Sequence, residues 1–274
     1  MIEDMPDEIL VDIAAHLVEP SKLSIFSRVN KRYKKCTEAQ MLLCCVMGGQ
    51  QDMAEKMIVS NPSLLEEKRR GREWHNGREF KSITPFQYAL WALDWYMWDM
   101  MMKYIDHSSA RSQLEELEKQ GTEHGKQFDG FDKLINAYSV YVCGYSLMND
   151  CERIKYWCEE LGGSQKALPL HALQEYYRKD RKMDPTPDFK GKRGTSHENL
   201  VEQLSKKNGL GGEFALCRGE NLRARMDEGW WGVAFVEFGV DIDRKGIVSL
   251  KNTRETQYKE LRETLSKAPV LSIR

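Results

Sequence analysis

The histidines and cysteines of this chain, the residue types most often used for metal binding or nucleophilic chemistry, follow no known motif. None of the six histidines belongs to a His-Glu-x-x-His pair, which would put two zinc ligands on one helix face. The seven cysteines include no Cys-x-x-Cys pair. We therefore predict no metal centre and no cofactor. Cysteines spread in this way are typical of reduced thiols in a cytosolic compartment.

Other catalytic signatures are also missing, so we predict that the chain is not an enzyme. Gly-x-Ser-x-Gly and the kinase signatures do not occur, and Gly209–Gly212 is not followed by the Gly-Lys-Ser/Thr of a phosphate loop. A Cys–His nucleophile stays open as an alternative, because its partners need to meet only in space. The carboxylates near the C-terminus have the ligand type of a cation site, although a solvated acidic edge is the simpler interpretation. They are Asp227, Glu228, Asp241 and Asp243.

The composition excludes two classes of partner. The 274 residues include 41 basic and 42 acidic side chains, and this balance argues against binding nucleic acid over the whole molecule. The longest apolar stretches, 39–47 and 83–105, are too short or are interrupted by Asp94 and Asp99, so we predict no membrane span. A hydrophobic fraction of 41% is ordinary for a folded globular protein.

The first 35 residues have the apolar spacing of two short helices separated by Pro20. Pro6 with Asp7 and Glu8 is a typical helix start, and the stretch Pro6–Leu10 opens a pattern that resembles an F-box. The tail Lys34–Cys36 departs from this pattern, since many family members have a longer apolar stretch there. F-boxes bind Skp1 of a cullin-RING ubiquitin ligase. The resemblance therefore implies that Skp1 contacts Met5, Pro6, Ile9, Leu10, Ile13, Leu17, Leu23, Phe26, Val29 and Tyr33.

The physical interpretation of this segment leaves two possibilities. A helical unit of about 40 residues buries too little surface to be stable alone, so it must pack on the rest of the chain or on a partner. Its apolar side chains either dock into a foreign groove or form the core of a larger helical domain.

Two helix pairs further along the chain repeat with an offset of 44 residues, which aligns Leu42 with Phe86 and Met53 with Met97. The segment Thr84–Leu90 resembles the opening of an ankyrin repeat, with Thr84, Pro85 and Ala89 in place. Gln87 replaces the histidine that normally ties neighbouring repeats. The offset exceeds the usual spacing of about 33, and an inserted loop or hairpin over 66–82 accounts for the difference.

Arrays of this kind bind proteins through their hairpin tips and concave face. We interpret the charged tip and the aromatic helices behind it as a partner-binding surface. A solvated loop and a buried aromatic core are the alternatives for the two groups. The candidate residues are Arg70, Arg72, Trp74, His75, Arg78, Trp95 and Trp98.

The pattern as a whole predicts a mainly α fold with a small mixed α/β part at the C-terminus. We expect an F-box-like segment over 1–38, ankyrin-like helix pairs over 39–110, a helical extension over 111–180 and an α+β region over 181–274. Gly162 and Gly163 predict a helix end. The composition of 214–218 and 233–238 predicts strands, and 255–266 predicts a helix.

The combination of these features resembles secreted effectors of the Legionella Dot/Icm type IV system, with glutamates near the C-terminus at Glu255, Glu260 and Glu263. The resemblance implies secretion into a host cytoplasm, with a eukaryotic cytoplasmic protein as the alternative. We therefore expect an adaptor that joins Skp1 to an unidentified target protein. An effector enzyme with its site in the C-terminal region and a plain ankyrin-like scaffold are the other hypotheses.

Overall fold

The computed structural model of the chain describes residue 9, residues 31–193 except 177, 179, 180, 183 and 192, and residues 237–267. The chain divides into two compact units. The first is Met1–Phe128 with Thr256–Arg274, and the second is Asp129–Glu255. The four domains predicted from the sequence, with their three boundaries, stay predictions.

The first unit consists of helices and one hairpin. In chain order its described elements are α1 (Lys31–Met47), α2 (Gln51–Ser60), a 3-10 turn (Pro62–Glu66), β1 (Arg69–Arg72), β2 (Glu79–Ile83), α3 (Pro85–Trp91), α4 (Trp95–Met101) and α5 (His107–Gln120). The predicted helix pairs are therefore present, and the segment between them is a β-hairpin.

Local signals explain where these helices begin and end. Gly49 has φ of 64° in the turn after α1, a conformation that glycine adopts at little cost. Asn61 closes α2 through a bond from its backbone N–H to the Met57 carbonyl, and Pro62 starts the next turn. Gly121, with φ of 70°, ends α5 as the sequence predicts.

The hairpin packs closely on α1. Its antiparallel strands place Gly71 opposite Phe80, and both residues are buried. A Cβ added at Gly71 would lie 2.2 Å from Cε of Met47, so the absence of a side chain permits this approach. The hairpin therefore has an inner face against the helices and an outer face toward solvent.

Thr84 joins the start of α3 to α5. Its hydroxyl accepts from the Gln87 backbone N–H at 3.0 Å and donates to the Gln113 side chain at 2.5 Å. The Gln87 side chain in turn accepts from the Thr84 N–H and donates to Glu116 on α5 at 2.9 Å. Gln87 thus ties two neighbouring elements together.

We expect Thr84→Ala to lower the free energy of unfolding by about 1–2 kcal/mol, because it removes both the cap and a buried hydrogen bond. Urea denaturation followed by circular dichroism measures the change. Thr84→Ser keeps the hydroxyl and should lose much less. Equal losses in the two variants would contradict the capping role.

The secondary-structure elements described in the second unit are all helical, and the described residues of 178–193 connect them without regular structure. Its elements are α6 (Gly130–Gly144), α7 (Asp150–Tyr156), a π-helical turn (Trp157–Leu161), α8 (Gly162–Lys166), α9 (Leu170–Tyr176) and the part of α10 (Glu237–Lys267) that ends at Glu255. Its core includes Tyr138, Tyr141 and Trp157, and the rings of the last two lie 5.3 Å apart.

The predicted fold class is confirmed: the structure is mainly α with a small two-stranded sheet. Two local predictions in the second unit are wrong. Glu237 and Phe238, predicted as the end of a strand, start the 31-residue helix α10. Gly162 does not end a helix, because its φ of −62° continues the helical backbone into α8. The predicted strand over 214–218 lies outside the described residues.

Two stretches differ from what their composition indicates. The basic residues 31–35 are typical of a solvated turn, but they belong to α1. The polar composition of 112–120 is typical of an exposed helix, but this helix begins at His107 and buries Ala110, Leu114 and Leu117. Among the described helices, none has the length and apolar character needed to cross a membrane.

Four cysteines of the described residues form two contrasting pairs. Burial raises the pKa of Cys44 to about 11 and that of Cys45 to about 12. Cys143 and Cys151 are exposed.

We expect iodoacetamide at neutral pH to label Cys143 and Cys151 in the folded protein and to leave Cys44 and Cys45 unmodified, because the thiolate is the reactive form. Peptide mass spectrometry locates the label. Denatured protein serves as the control and should be labelled at all four positions. Rapid labelling of Cys45 in the folded state would contradict the described packing.

Candidate functional site

The outer face of the hairpin carries two exposed arginines. Arg70 and Arg72 lie on β1, and their side chains are 48% and 53% exposed. The tip that follows holds Trp74 and His75, which are half-buried and stack edge to face at 5.8 Å. With Glu79 on β2, these residues form what we call the hairpin surface.

Glu79 holds both arginines of the hairpin surface. Its carboxylate accepts from Arg70 at 3.0 Å and lies 3.8 Å from Nε of Arg72. Since all three side chains are about half exposed, these pairs contribute little to stability, on the order of 0–1 kcal/mol. The guanidinium groups can therefore exchange this partner for another at low cost.

A buried carboxylate fixes the tip beneath this surface. The Glu73 side chain is 0% exposed and accepts from Arg78 at 2.9 Å, Asn76 at 2.6 Å and the Tyr88 hydroxyl at 2.5 Å. The Glu73 backbone N–H also donates to the Arg78 carbonyl at 2.8 Å. We call this arrangement the Glu73 clamp.

The Glu73 clamp holds the Arg78 side chain inside the first unit. The Arg78 guanidinium lies 5.0 Å from the Trp91 ring centroid and 5.3 Å from that of Phe128, and its side chain is 15% exposed. Our prediction that Arg78 contacts a partner is therefore corrected, because its charged group is engaged within the unit. Burial, followed by the charge of Glu73, holds the pKa of Tyr88 well above its ordinary value.

Side chains cover both outer edges of the hairpin. On β1, Gln40 donates to the Arg70 carbonyl at 3.0 Å. On β2, the Lys81 N–H donates to the Glu123 side chain, and His124 Nε2 lies 2.7 Å from the Glu79 carbonyl. Three of the backbone groups that an added strand would need, one on β1 and two on β2, are thus already bonded.

The two predicted tryptophans behind the tip differ in exposure. Trp98 is 2% exposed and packs at 6.0 Å from the Tyr258 ring, so it is a core residue, and the prediction that it contacts a partner is corrected. Trp95 is half-buried against Tyr96 at 5.0 Å. Trp98 is therefore removed from the candidate surface, whereas Trp95 stays a predicted member of it.

Most of the predicted Skp1-binding residues lie outside the described part of the chain. Ile9 is described and is 47% exposed. Tyr33 is described by its backbone, in α1. The other eight lie outside the described residues: Met5, Pro6, Leu10, Ile13, Leu17, Leu23, Phe26 and Val29.

The second unit has a buried polar cluster that the sequence did not reveal. Glu175, with a side chain 2% exposed, pairs with Arg178 at 3.5 Å and with Arg181. Arg254 is 1% exposed and donates to the Phe189 carbonyl at 3.1 Å. The sequence of α9 does not predict this cluster. Charged residues such as Glu175 are expected on an exposed helix face, but here Glu175 is buried.

An open groove of about 380 Å³ lies beside this cluster in the second unit, between the 188–190 segment and α10. Its two hydroxyls are engaged with the backbone: Ser249 donates to the Pro187 carbonyl at 2.6 Å and Thr253 to the Asp188 carbonyl at 2.7 Å. The hydroxyls of Ser249 and Thr253 therefore bind the backbone of residues 187 and 188 and are not directed at a substrate.

Of the four acidic residues with the ligand type of a cation site, the structure describes Asp241 and Asp243. Asp241 pairs with Lys245 and Arg244, each at 2.7 Å, and the bond from Lys245 is the largest cause of its lowered pKa. Asp243 is buried. Asp227 and Glu228 lie outside the described residues. Within the described ranges, no group of three or more potential ligands could hold a metal ion.

Comparison with known proteins finds similarity to a bacterial protein. Residues 133–265 match a family model described as the CBUA0006 C-terminal domain. The uncharacterized protein CBUA0006 of Coxiella burnetii (strain RSA 493 / Nine Mile phase I) is 28% identical over 265 residues, which covers 82% of this chain and 75% of the relative. No solved structure matches the chain.

We expect Glu73→Gln to lower the free energy of unfolding by about 2–4 kcal/mol, because it leaves the Arg78 charge without its buried partner. Urea denaturation at neutral pH measures the loss. Glu79→Gln is the matched control on the same hairpin, and we expect about 1 kcal/mol or less from its exposed pairs. Similar losses for both variants would show that the Glu73 clamp has no special role.

Proposed function

We propose that the chain is a substrate-recognition adaptor that binds Skp1 through its F-box-like segment and recruits a target protein to an SCF ubiquitin ligase. The observation that carries the proposal is the order of parts: the F-box-like residues are followed directly by helix pair, hairpin and helix pair, with an exposed hairpin surface. An adaptor needs no catalytic group, because it acts by raising the local concentration of target near the ligase.

The exposure of Ile9 supports the first half of this proposal. The Ile9 side chain is 47% exposed, so a partner could reach it, and contact would remove its apolar surface from water. The similarity to a protein of Coxiella burnetii favours a bacterial origin over a eukaryotic one. We therefore propose that the chain acts as a bacterial effector, secreted by a type IV system into the host cytoplasm.

The test is a pull-down of the full chain with purified Skp1. We expect Pro6→Ala with Leu10→Ala to abolish binding, because both side chains belong to the F-box-like opening. Val59→Ala, which shortens an exposed apolar side chain on α2, should bind as the wild type does. Thermal unfolding by circular dichroism checks that the variants are folded. Undiminished binding by the double variant would sink the proposal.

An effector enzyme is the second candidate, and the buried polar cluster of the second unit favours it. Charged groups such as Glu175 and Arg254 are costly to bury, so stability alone does not explain their place inside the unit. This candidate predicts modification of host protein in the absence of Skp1, whereas the adaptor requires the complete ligase. A scaffold would show neither activity.

A further inference from the structure

We propose that the hairpin surface binds an acidic, extended segment of the target protein, through side chains and not by strand addition. This inference rests on the proposed adaptor function and specifies which chemistry selects the target.

The charge of the hairpin surface favours a negatively charged segment. Arg70 and Arg72 share Glu79, the carboxylate that contacts both, so two cations face one anion. The pairs are exposed and weak, so carboxylates of a partner can take the place of Glu79. Guanidinium groups bind carboxylates in bidentate fashion, which favours aspartate and glutamate side chains as ligands.

The tip next to these arginines supplies an apolar anchor in a fixed position. Trp74 is half-buried, and tryptophan together with arginine is the composition of energetic centres in protein interfaces. The Glu73 clamp lies directly before Trp74 and holds the tip with buried hydrogen bonds. A tip that is already ordered loses little entropy on binding.

The edges of the hairpin exclude the commonest alternative mode of binding an extended peptide. Strand addition requires free backbone groups along one edge. The Arg70 carbonyl on β1 and the Glu79 carbonyl and Lys81 N–H on β2 are already bonded to Gln40, His124 and Glu123. Recognition must therefore use the outer face, where the arginines lie.

Nucleic acid fits the same surface less well. Binding to a phosphate backbone at physiological salt commonly uses about six to ten cationic contacts. The outer face supplies Arg70, Arg72 and the exposed Lys81, beside the carboxylates of Glu79 and Glu123. A short acidic peptide needs only two well-placed cations.

The test is selection of a random peptide library displayed on phage with the full chain as bait. We expect the wild type to enrich acidic peptides that also contain an apolar residue. A variant with Arg70→Glu, Arg72→Glu and Glu79→Arg keeps opposite charges paired within the hairpin but inverts the sign of the surface. It should enrich basic peptides instead. Lys103→Glu, which makes the same change in net charge at an exposed position outside the hairpin, should select as the wild type does.

Fluorescence anisotropy with a labelled copy of an enriched acidic peptide gives the affinity. We expect the inverted variant and Trp74→Ala each to bind it about tenfold more weakly or worse. Selection of the same peptides by wild type and inverted variant, or no enrichment at all, would overturn the proposal. So would tight binding of labelled single-stranded RNA that is lost in the inverted variant.

Failure of this inference is distinguishable from failure of the adaptor proposal, since the inverted variant leaves residues 5–33 unchanged. Skp1 binding without peptide selection refutes the acidic target alone. Acidic peptide selection without Skp1 binding refutes the adaptor alone.

Discussion

The buried Glu73 carboxylate is the interaction on which the hairpin depends. It meets a guanidinium, an amide and a phenol from three residues, two of them in the tip and one on α3. A carboxylate removed from water is tolerated only when such donors surround it. The tip, the strand that follows it and α3 are therefore positioned together. The exposed side chains of Arg70 and Arg72 lie on the outer face of the hairpin, where both contact the carboxylate of Glu79.

The layout of the first unit could be predicted from the sequence because its signals are local. Gly48-Gly49, Asn61-Pro62 and Thr84-Pro85 mark turns and helix starts by backbone preference and side-chain capping, and the structure places element ends at each of them. The hairpin over 66–82 followed from charged residues and glycines between two apolar patterns. Such features depend on neighbours in the chain and need no knowledge of tertiary packing.

Long-range packing decided the features that the sequence did not reveal. Arg78 belongs to a run of basic residues, and only the approach of Glu73, Trp91 and Phe128 makes it part of the interior. Gly162 is a residue typical of helix ends, yet it is buried and its backbone is helical. Of the predicted surface, Arg70 and Arg72 are exposed and Trp74, His75 and Trp95 are half-buried, whereas Trp98 lies in the core.

The helix α10 makes the first unit discontinuous in sequence. Its residues up to Glu255 belong to the second unit, while Thr256 and those after it belong to the first, where Tyr258 packs on Trp98 and Arg262 pairs with Glu118 at 3.1 Å. A truncated protein that ends at Phe128 would therefore lack the C-terminal residues of the first unit, which begin at Thr256. Dissection of this chain requires either the intact polypeptide or a permuted one in which 256–267 is spliced to the earlier residues.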